Sequence, residues 1–233
     1  VVMTQVFAGT LDFTPGGILA GKVDGLMVPV LLGLYAFGTG KAALMPFHRW
    51  LPAAMVAPTP VSALLHAVAV VKAGVFAILK ITVYVFGLDL LSGTGATTLV
   101  LWVAAITIIG ASLVAQRQDN LKRRLAYSTI SQLSYVVLGA VLANAAGIAG
   151  AAVHIATHAV GKITLFFCAG AILVAAHKTR VSELDGLGRQ MPILFLALLA
   201  AALSVTGLPP FGGMWSKYML ITSASELGQH VTA

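Results

Sequence analysis

Long apolar runs separated by short polar connectors fill this chain, and their lengths predict an all-α polytopic membrane bundle of about six spans. The runs place spans at 24–47, 60–86, 96–116, 123–143, 147–176 and 191–226, after an outer loop over 1–22 rich in Gly, Thr and Pro. Each span can cross ~30 Å of hydrocarbon as a helix. Ala57-Pro58-Thr59-Pro60-Val61-Ser62 opens the second with proline in its first turn. Two spans are interrupted near their middles: Gly38-Thr39-Gly40 directly precedes Lys41, and Gly207-Leu208-Pro209-Pro210-Phe211-Gly212-Gly213 precedes Lys217. Helix breakers at that depth are tolerated only where protein or a water-filled cavity satisfies the freed backbone groups. Each lysine is expected in the first turn of a new half-helix, where the positive end of the dipole disfavours an ammonium by ~0.3–1 kcal/mol and burial works in the same direction. The two spans enter from opposite faces, which reads as an inverted repeat.

Composition sharpens the class. With 59% hydrophobic and 9% charged residues, and a mean hydropathy of +0.97, a soluble core is excluded. The net charge of +7 is concentrated in loops 117–124 and 177–190 and in lysines inside the spans, so it marks topology and gives no sign of nucleic-acid binding. Two spans separate the basic loops, which places both in the cytoplasm and residue 1 outside, in a multi-pass protein of a bacterial or archaeal inner membrane. The single Cys168 lies in an apolar run and argues against disulfides, iron–sulfur ligation and a cysteine metal site. A chain that opens on Val1 reads as an internal piece of a longer polypeptide.

The candidate chemistry lies in ionisable residues at membrane depth: Lys41, His66, Lys72, His154, His158, Lys162 and Lys217. Each would cost roughly 2.5–3.5 kcal/mol on insertion scales. His154, His158 and Lys162, at i, i+4 and i+8, share one helix face, one turn apart, which is the spacing for proton transfer directly or through one water. His66 and Lys72, six residues apart, are expected to face different neighbours. A His-x-x-x-His metal site is the competing reading, but the string lacks the glutamate of His-Glu-x-x-His and an acidic third ligand; two hydrogen-bonded core histidines are the plainer one. All seven acids, Asp12, Asp24, Asp89, Asp119, Glu183, Asp185 and Glu226, fall in loops or at span ends. A buried ammonium needs a counter-charge or must give up its proton, so a carboxylate from further sequence or another subunit is expected.

The stretch Lys41-Ala42-Ala43-Leu44-Met45-Pro46-Phe47-His48-Arg49-Trp50-Leu51-Pro52-Ala53-Ala54-Met55, with Ala57-Pro58-Thr59-Pro60-Val61-Ser62-Ala63-Leu64-Leu65-His66-Ala67, resembles the signature of the antiporter-like membrane subunits of respiratory complex I, Mrp-type sodium/proton antiporters and membrane-bound hydrogenases. Leu121-Lys122-Arg123-Arg124-Leu125-Ala126-Tyr127-Ser128-Thr129-Ile130-Ser131-Gln132, His154…His158…Lys162 and the 207–217 break extend it over nearly the whole chain. The resemblance implies about fourteen helices in the full protein, with two inverted five-helix repeats. Lys41 would match the first-repeat lysine, Lys217 the second-repeat lysine at the outlet, and His66, Lys72, His154, His158 and Lys162 the polar axis between them. It further implies a glutamate partner for Lys41 on a helix upstream. Details around Lys72 and the double proline look closer to the Mrp D subunit and hydrogenase-linked relatives than to the largest complex I pump.

The expected function is proton translocation through that relay, in company with other membrane subunits and the lipid bilayer, with sodium as a second candidate cation. No nicotinamide, flavin, quinone or metal motif is present, so no cofactor is expected on this chain and redox chemistry would belong to other subunits. The alternative is a sodium or small-solute permease without a proton relay.

Overall fold

A computed structural model describes residues 1–226, with the backbone but not the side chains of 65–68; His66 therefore lies outside the described side chains. Among the described residues all the regular elements are helices, with one isolated antiparallel bridge between Asn120 and Arg180. The long helix Ala145–Ala176 is the axis of the bundle. Leu121–Val141, Pro192–Thr206, Gly212–Glu226 and the helical run beginning at Thr59 all pack against it, and Thr98–Arg117 packs against Leu121–Val141.

Local chemistry sets the ends of these helices. Asn120 caps Leu121–Val141 by accepting from the Arg123 backbone N–H at 3.1 Å, and Asn144 caps Ala145–Ala176 by accepting from Gly147 at 2.7 Å. Pro192 starts Pro192–Thr206 at a position where its missing N–H costs nothing, and Gly207 ends it at φ +95°, in the left-handed region. Helical turns run without a gap through Thr59–Val61, Ser62–Val70, Val71–Lys80 and Ile81–Phe86, the second and fourth with wide i→i+5 bonding. At Gly87 the chain turns through 87° into Leu88–Thr94. Gly17 and Gly87 meet there so closely that neither could carry a side chain.

Two elements differ from the sequence reading. Residues 1–22 are not all loop: Val2–Ala8 is helical, and its buried Thr4 hydroxyl lies 2.6 Å from the Tyr35 hydroxyl. The first broken span does not resume as a half-helix. Met27–Gly38 ends at Thr39, Gly40–Ala42 forms one tight turn carrying Lys41, and Ala43 at φ 55° sends the chain into irregular turns up to Trp50. Pro46 is a physical reason, since it removes a backbone donor that a continuing helix would need.

Thr98–Arg117 and Ala145–Ala176 are each long and apolar enough to cross a membrane, and Val71–Phe86 with Leu88–Thr94 qualifies as a bent pair. Met27–Gly38 and Pro192–Thr206 are apolar but shorter. On Thr98–Arg117 the residues Leu99, Trp102, Ile106, Ile109 and Leu113 are all exposed, with relative accessibilities of 45–62%. An apolar stripe of that length on the outside suits hydrocarbon or another membrane helix, not water. The interior is filled by residues such as Phe86, Ile130, Leu133 and Phe166.

Candidate functional site

Ala145–Ala176 presents His154, His158 and Lys162 on one buried face, as the four-residue spacing requires; they are 2%, 2% and 0% exposed. The two imidazole rings are stacked, with centroids 5.8 Å apart and planes 13° from parallel. Lys162 donates to the Ser128 hydroxyl at 2.8 Å and the Leu125 carbonyl at 3.2 Å. Lys72, on Val71–Lys80, is buried as well, close enough for its charge to act on both His158 and Lys162.

At the other end of the face, His154 Nδ1 lies 2.8 Å from the Ser216 hydroxyl on Gly212–Glu226. The next residue, Lys217, is half-buried. Its ammonium donates to the Val205 and Thr206 carbonyls at 3.2 and 2.9 Å and sits 5.2 Å from the centre of the Tyr135 ring. Tyr135 also packs on His154, centroid to centroid at 5.8 Å. The residues thus form a seam running from Lys217 past Tyr135, His154 and His158 to Lys162 and Lys72.

The helix end that the Lys217 ammonium meets differs from the expectation from sequence. The Lys217 backbone is in the second turn of Gly212–Glu226, and its side chain reaches back across the break to the last carbonyls of Pro192–Thr206, the negative end of that helix. Those carbonyls stabilise an ammonium there and satisfy groups that the break would otherwise leave open. The cation–π contact with Tyr135 adds to this.

Lys41 stands apart from the seam: it is exposed on the tight turn Gly40–Ala42. The backbone of that turn is pressed against Gly74, whose missing Cβ would meet the Ala42 nitrogen at 2.5 Å and the Lys41 carbonyl carbon at 2.5 Å. Gly74 lies two residues after Lys72, so one helix positions both lysines.

A cavity of about 680 Å³ opens beside the seam. Lys162, Lys217, Ser128, Gln132 and Tyr135 line its inner part, and Gln116, Arg124 and Val181 line the part near the basic loops. A clasp joins those loops at this end. Asp119 accepts from the Ser182 backbone N–H at 3.0 Å and its hydroxyl at 2.9 Å, the Val181 N–H donates to the Asp119 carbonyl at 2.7 Å, and the Leu121 N–H to the Thr179 carbonyl at 2.9 Å. The two Ser182 hydrogen bonds hold the Asp119 carboxyl below its ordinary range. Lys122 beside it is pushed down by partial burial and donates to the Ala57 carbonyl at 2.7 Å.

Both His158 nitrogens and Gln132 Oε1 are buried without a hydrogen-bond partner among the described residues. All seven carboxylates of the chain are exposed, and none reaches the seam. No group of three His, Cys, Asp or Glu side chains among the described residues is arranged to hold a metal ion. Ser128, Tyr135 and Ser216, each contributed by a neighbouring helix, were not singled out by sequence; nothing in a single sequence reports which residues face one another across two helices.

The chain is similar to several known proteins. It is 37% identical over 217 residues to NADH-quinone oxidoreductase subunit N of Desulforudis audaxviator, covering 92% of this chain and 43% of that protein. It is 34% identical to the putative antiporter subunit mnhA2 of Staphylococcus aureus, covering 98% of this chain and 30% of that protein. Among solved structures, the Mrp complex from Dietzia sp. matches with a TM-score of 0.82 at 27% identity over 93% of this chain and 40% of that one. Respiratory complex I from Thermus thermophilus matches at 0.75 and 28% over 97% and 48%. The chain thus spans less than half the length of these relatives. A family model described as NADH:quinone oxidoreductase/Mrp antiporter, transmembrane, matches residues 4–233, and with the apolar exterior and the bent helices already described, the chain belongs to that family of integral membrane proteins.

Proposed function

We propose that this chain carries protons across the membrane as one subunit of a multisubunit complex of the NADH:quinone oxidoreductase, Mrp antiporter or membrane-hydrogenase type. The observation that carries this reading is the seam itself: Lys72, His154, His158 and Lys162 are buried together with no carboxylate among them. Two unit charges 5.8 Å apart, the spacing of the His154 and His158 rings, repel by roughly 3 kcal/mol at an effective dielectric near 20. The histidine pair therefore holds at most one excess proton. A site that admits one proton and resists a second is suited to handing protons along.

Water reaching Lys162 and Lys217 through the cavity would supply protons from the side of loops 117–124 and 177–190, the cytoplasmic side by their charge. Transfer would pass along the seam by way of Lys72, His158 and His154, with His66 a further member of the axis, and release would be to the face away from this cavity. Lys41 would switch when an acidic group from another segment or subunit approaches its exposed side chain. Sodium is disfavoured as the carried ion along the seam, because lysines and histidines line it and no oxygen-rich acidic site does. The six spans and the inverted arrangement of the 38–40 and 207–213 breaks belong to the same proposal.

The assembled complex, reconstituted in proteoliposomes with pH- and sodium-sensitive dyes, tests it. Proton uptake that Lys162→Met abolishes is the expected result. Sodium or solute movement without protons would replace this reading with the permease.

A further inference from the structure

Leu121–Val141 and Ala145–Ala176 are joined by a short turn and packed side by side, so they run antiparallel and their facing residues pair like rungs. At one rung Lys162 donates to the Ser128 hydroxyl at 2.8 Å. At another Tyr135 packs on His154, with centroids 5.8 Å apart. Between them, one turn on from Ser128 is Gln132 and one turn back from Lys162 is His158, so the middle rung sets Gln132 opposite His158. The Gln132 backbone is a hydrogen-bond partner of the His154 ring, which fits the same register.

The middle rung is where hydrogen-bonding capacity is left over. Gln132 Oε1 and both His158 nitrogens are buried and have no partner among the described residues. Lys162 spends two of its three N–H donors, on Ser128 and on the Leu125 carbonyl. The amide oxygen can only accept, the ammonium can only donate, and a neutral imidazole does one of each. Buried polar atoms that protein does not pair are completed by ordered water, which makes about three hydrogen bonds. One water fits this set: it accepts from Lys162 and donates to Gln132 Oε1 and to a His158 nitrogen. Gln132 and Lys162 both line the cavity of about 680 Å³, which gives that water a way in.

We propose that Gln132 is a positioning residue that seats one water between Lys162 and His158 and fixes which of its hydrogens moves. The functional consequence rests on the proton-relay reading above; the water seat does not. When a Lys162 N–H passes its proton to the water oxygen, the O–H aimed at His158 breaks and a new N–H forms on the ring, leaving a neutral amine and an imidazolium. The O–H aimed at Gln132 stays intact, because an amide oxygen accepts a hydrogen bond and does not take up the proton. A carboxylate in that place would capture the proton and hold it. Lys162 and His158 thereby have a route of their own beside Lys72.

The test is electron cryomicroscopy of the assembled complex at a resolution that shows ordered water, for the wild type and for Gln132→Met, which keeps the length and loses the acceptor. The expected wild-type map has a water peak within hydrogen-bond distance of the Gln132 amide and the His158 ring, and the variant map lacks it. A direct Gln132–His158 bond, no peak in the wild type, or a peak that persists in Gln132→Met overturns the seat. In proteoliposomes Gln132→Met is expected to slow proton flux about tenfold, the kinetic equivalent of one lost hydrogen bond, and to raise the ratio of flux in H2O to flux in D2O above the wild-type ratio. Wild-type flux, or slowed flux with an unchanged isotope ratio, overturns the functional consequence, since damaged packing lowers the number of working complexes without altering the step. A wild-type complex that moves no protons removes the proposed function, while the maps still decide whether Gln132 seats the water.

Discussion

A methyl group added at Gly74 tests how Lys41 is held without touching any titratable atom. In the structure that methyl would stand 2.5 Å from the Ala42 nitrogen, 2.5 Å from the Lys41 carbonyl carbon and 2.9 Å from the Lys41 Cβ. Ordinary contact for such atoms is about 3.5–4.0 Å, so the helix and the Gly40–Ala42 turn must separate by about 1 Å. Two of the three contacts are backbone, which cannot swing aside as a flexible side chain can. Overpacking of this kind costs about 1–3 kcal/mol, with this site toward the upper end, while alanine in a helix interior returns about 1 kcal/mol over glycine. The net destabilisation expected for Gly74→Ala is about 2 kcal/mol. It should appear as a lower unfolding temperature of the purified complex and as reduced proton flux through a displaced Lys41. Gly93→Ala is the control: its Cβ meets nothing within 4 Å, and stability should hold or rise slightly. Gly74→Ala with wild-type stability and flux would refute the claim that Val71–Lys80 positions Lys41 by direct backbone contact.

Three further outcomes can be measured. Lys162→Met should assemble at normal yield and lose at least 100-fold in proton flux, because replacing a buried charge by an apolar side chain of similar length is commonly neutral or stabilising by ~1–4 kcal/mol while a proton-transfer group is worth ~10²–10⁴-fold; a complex that falls apart would make Lys162 structural. Lys217→Met should speed hydrogen–deuterium exchange around Gly207, since the Val205 and Thr206 carbonyls lose their donor, and Lys217→Arg should largely preserve protection; equal exchange in both would sever the lysine from the break. Asp119 has a folded-state carboxyl held below its unfolded value by Ser182, so its contribution is present above the unfolded value and fades as pH falls through the folded one. Spin labels at Gln118→Cys and Lys178→Cys should therefore move apart in strongly acidic buffer, and Asp119→Asn should remove that pH dependence; a distance insensitive to both discounts the clasp.

The legible parts of this molecule are those written within one segment. The i, i+4, i+8 spacing of His154, His158 and Lys162 could only put them on one face, and the Gly-Pro cluster before Lys217 could only break a helix. The break before Lys41 was legible as a break, but not in form: Pro46 and a left-handed Ala43 turn the chain instead of restarting a helix. The carbonyls that hold Lys217 are not legible in sequence, because a flexible side chain can reach the helix on the far side of a break. The wide turns in Ser62–Val70 also shift the angular phase between residues 66 and 72, which a count at 3.6 residues per turn cannot anticipate. Ser128, Tyr135 and Ser216 become visible only once helices are laid side by side.

The helix Ala145–Ala176 runs 32 residues without interruption, while the span that faces it is broken. An intact α-helix advances about 1.5 Å per residue, so His154, His158 and Lys162 stand about 6 Å apart along its axis whatever happens around them. They are graduations on a ruler. Neither a driving event elsewhere in a complex nor a passing proton can stretch that scale. Any switching must then be done by what faces it: the hydroxyl of Ser216, the ring of Tyr135 and the ammonium of Lys217 on one side, Ser128 and Lys72 on the other. The moving parts of the machine would be its partners across the seam, and the helix bearing most of the titratable groups would be its fixed frame.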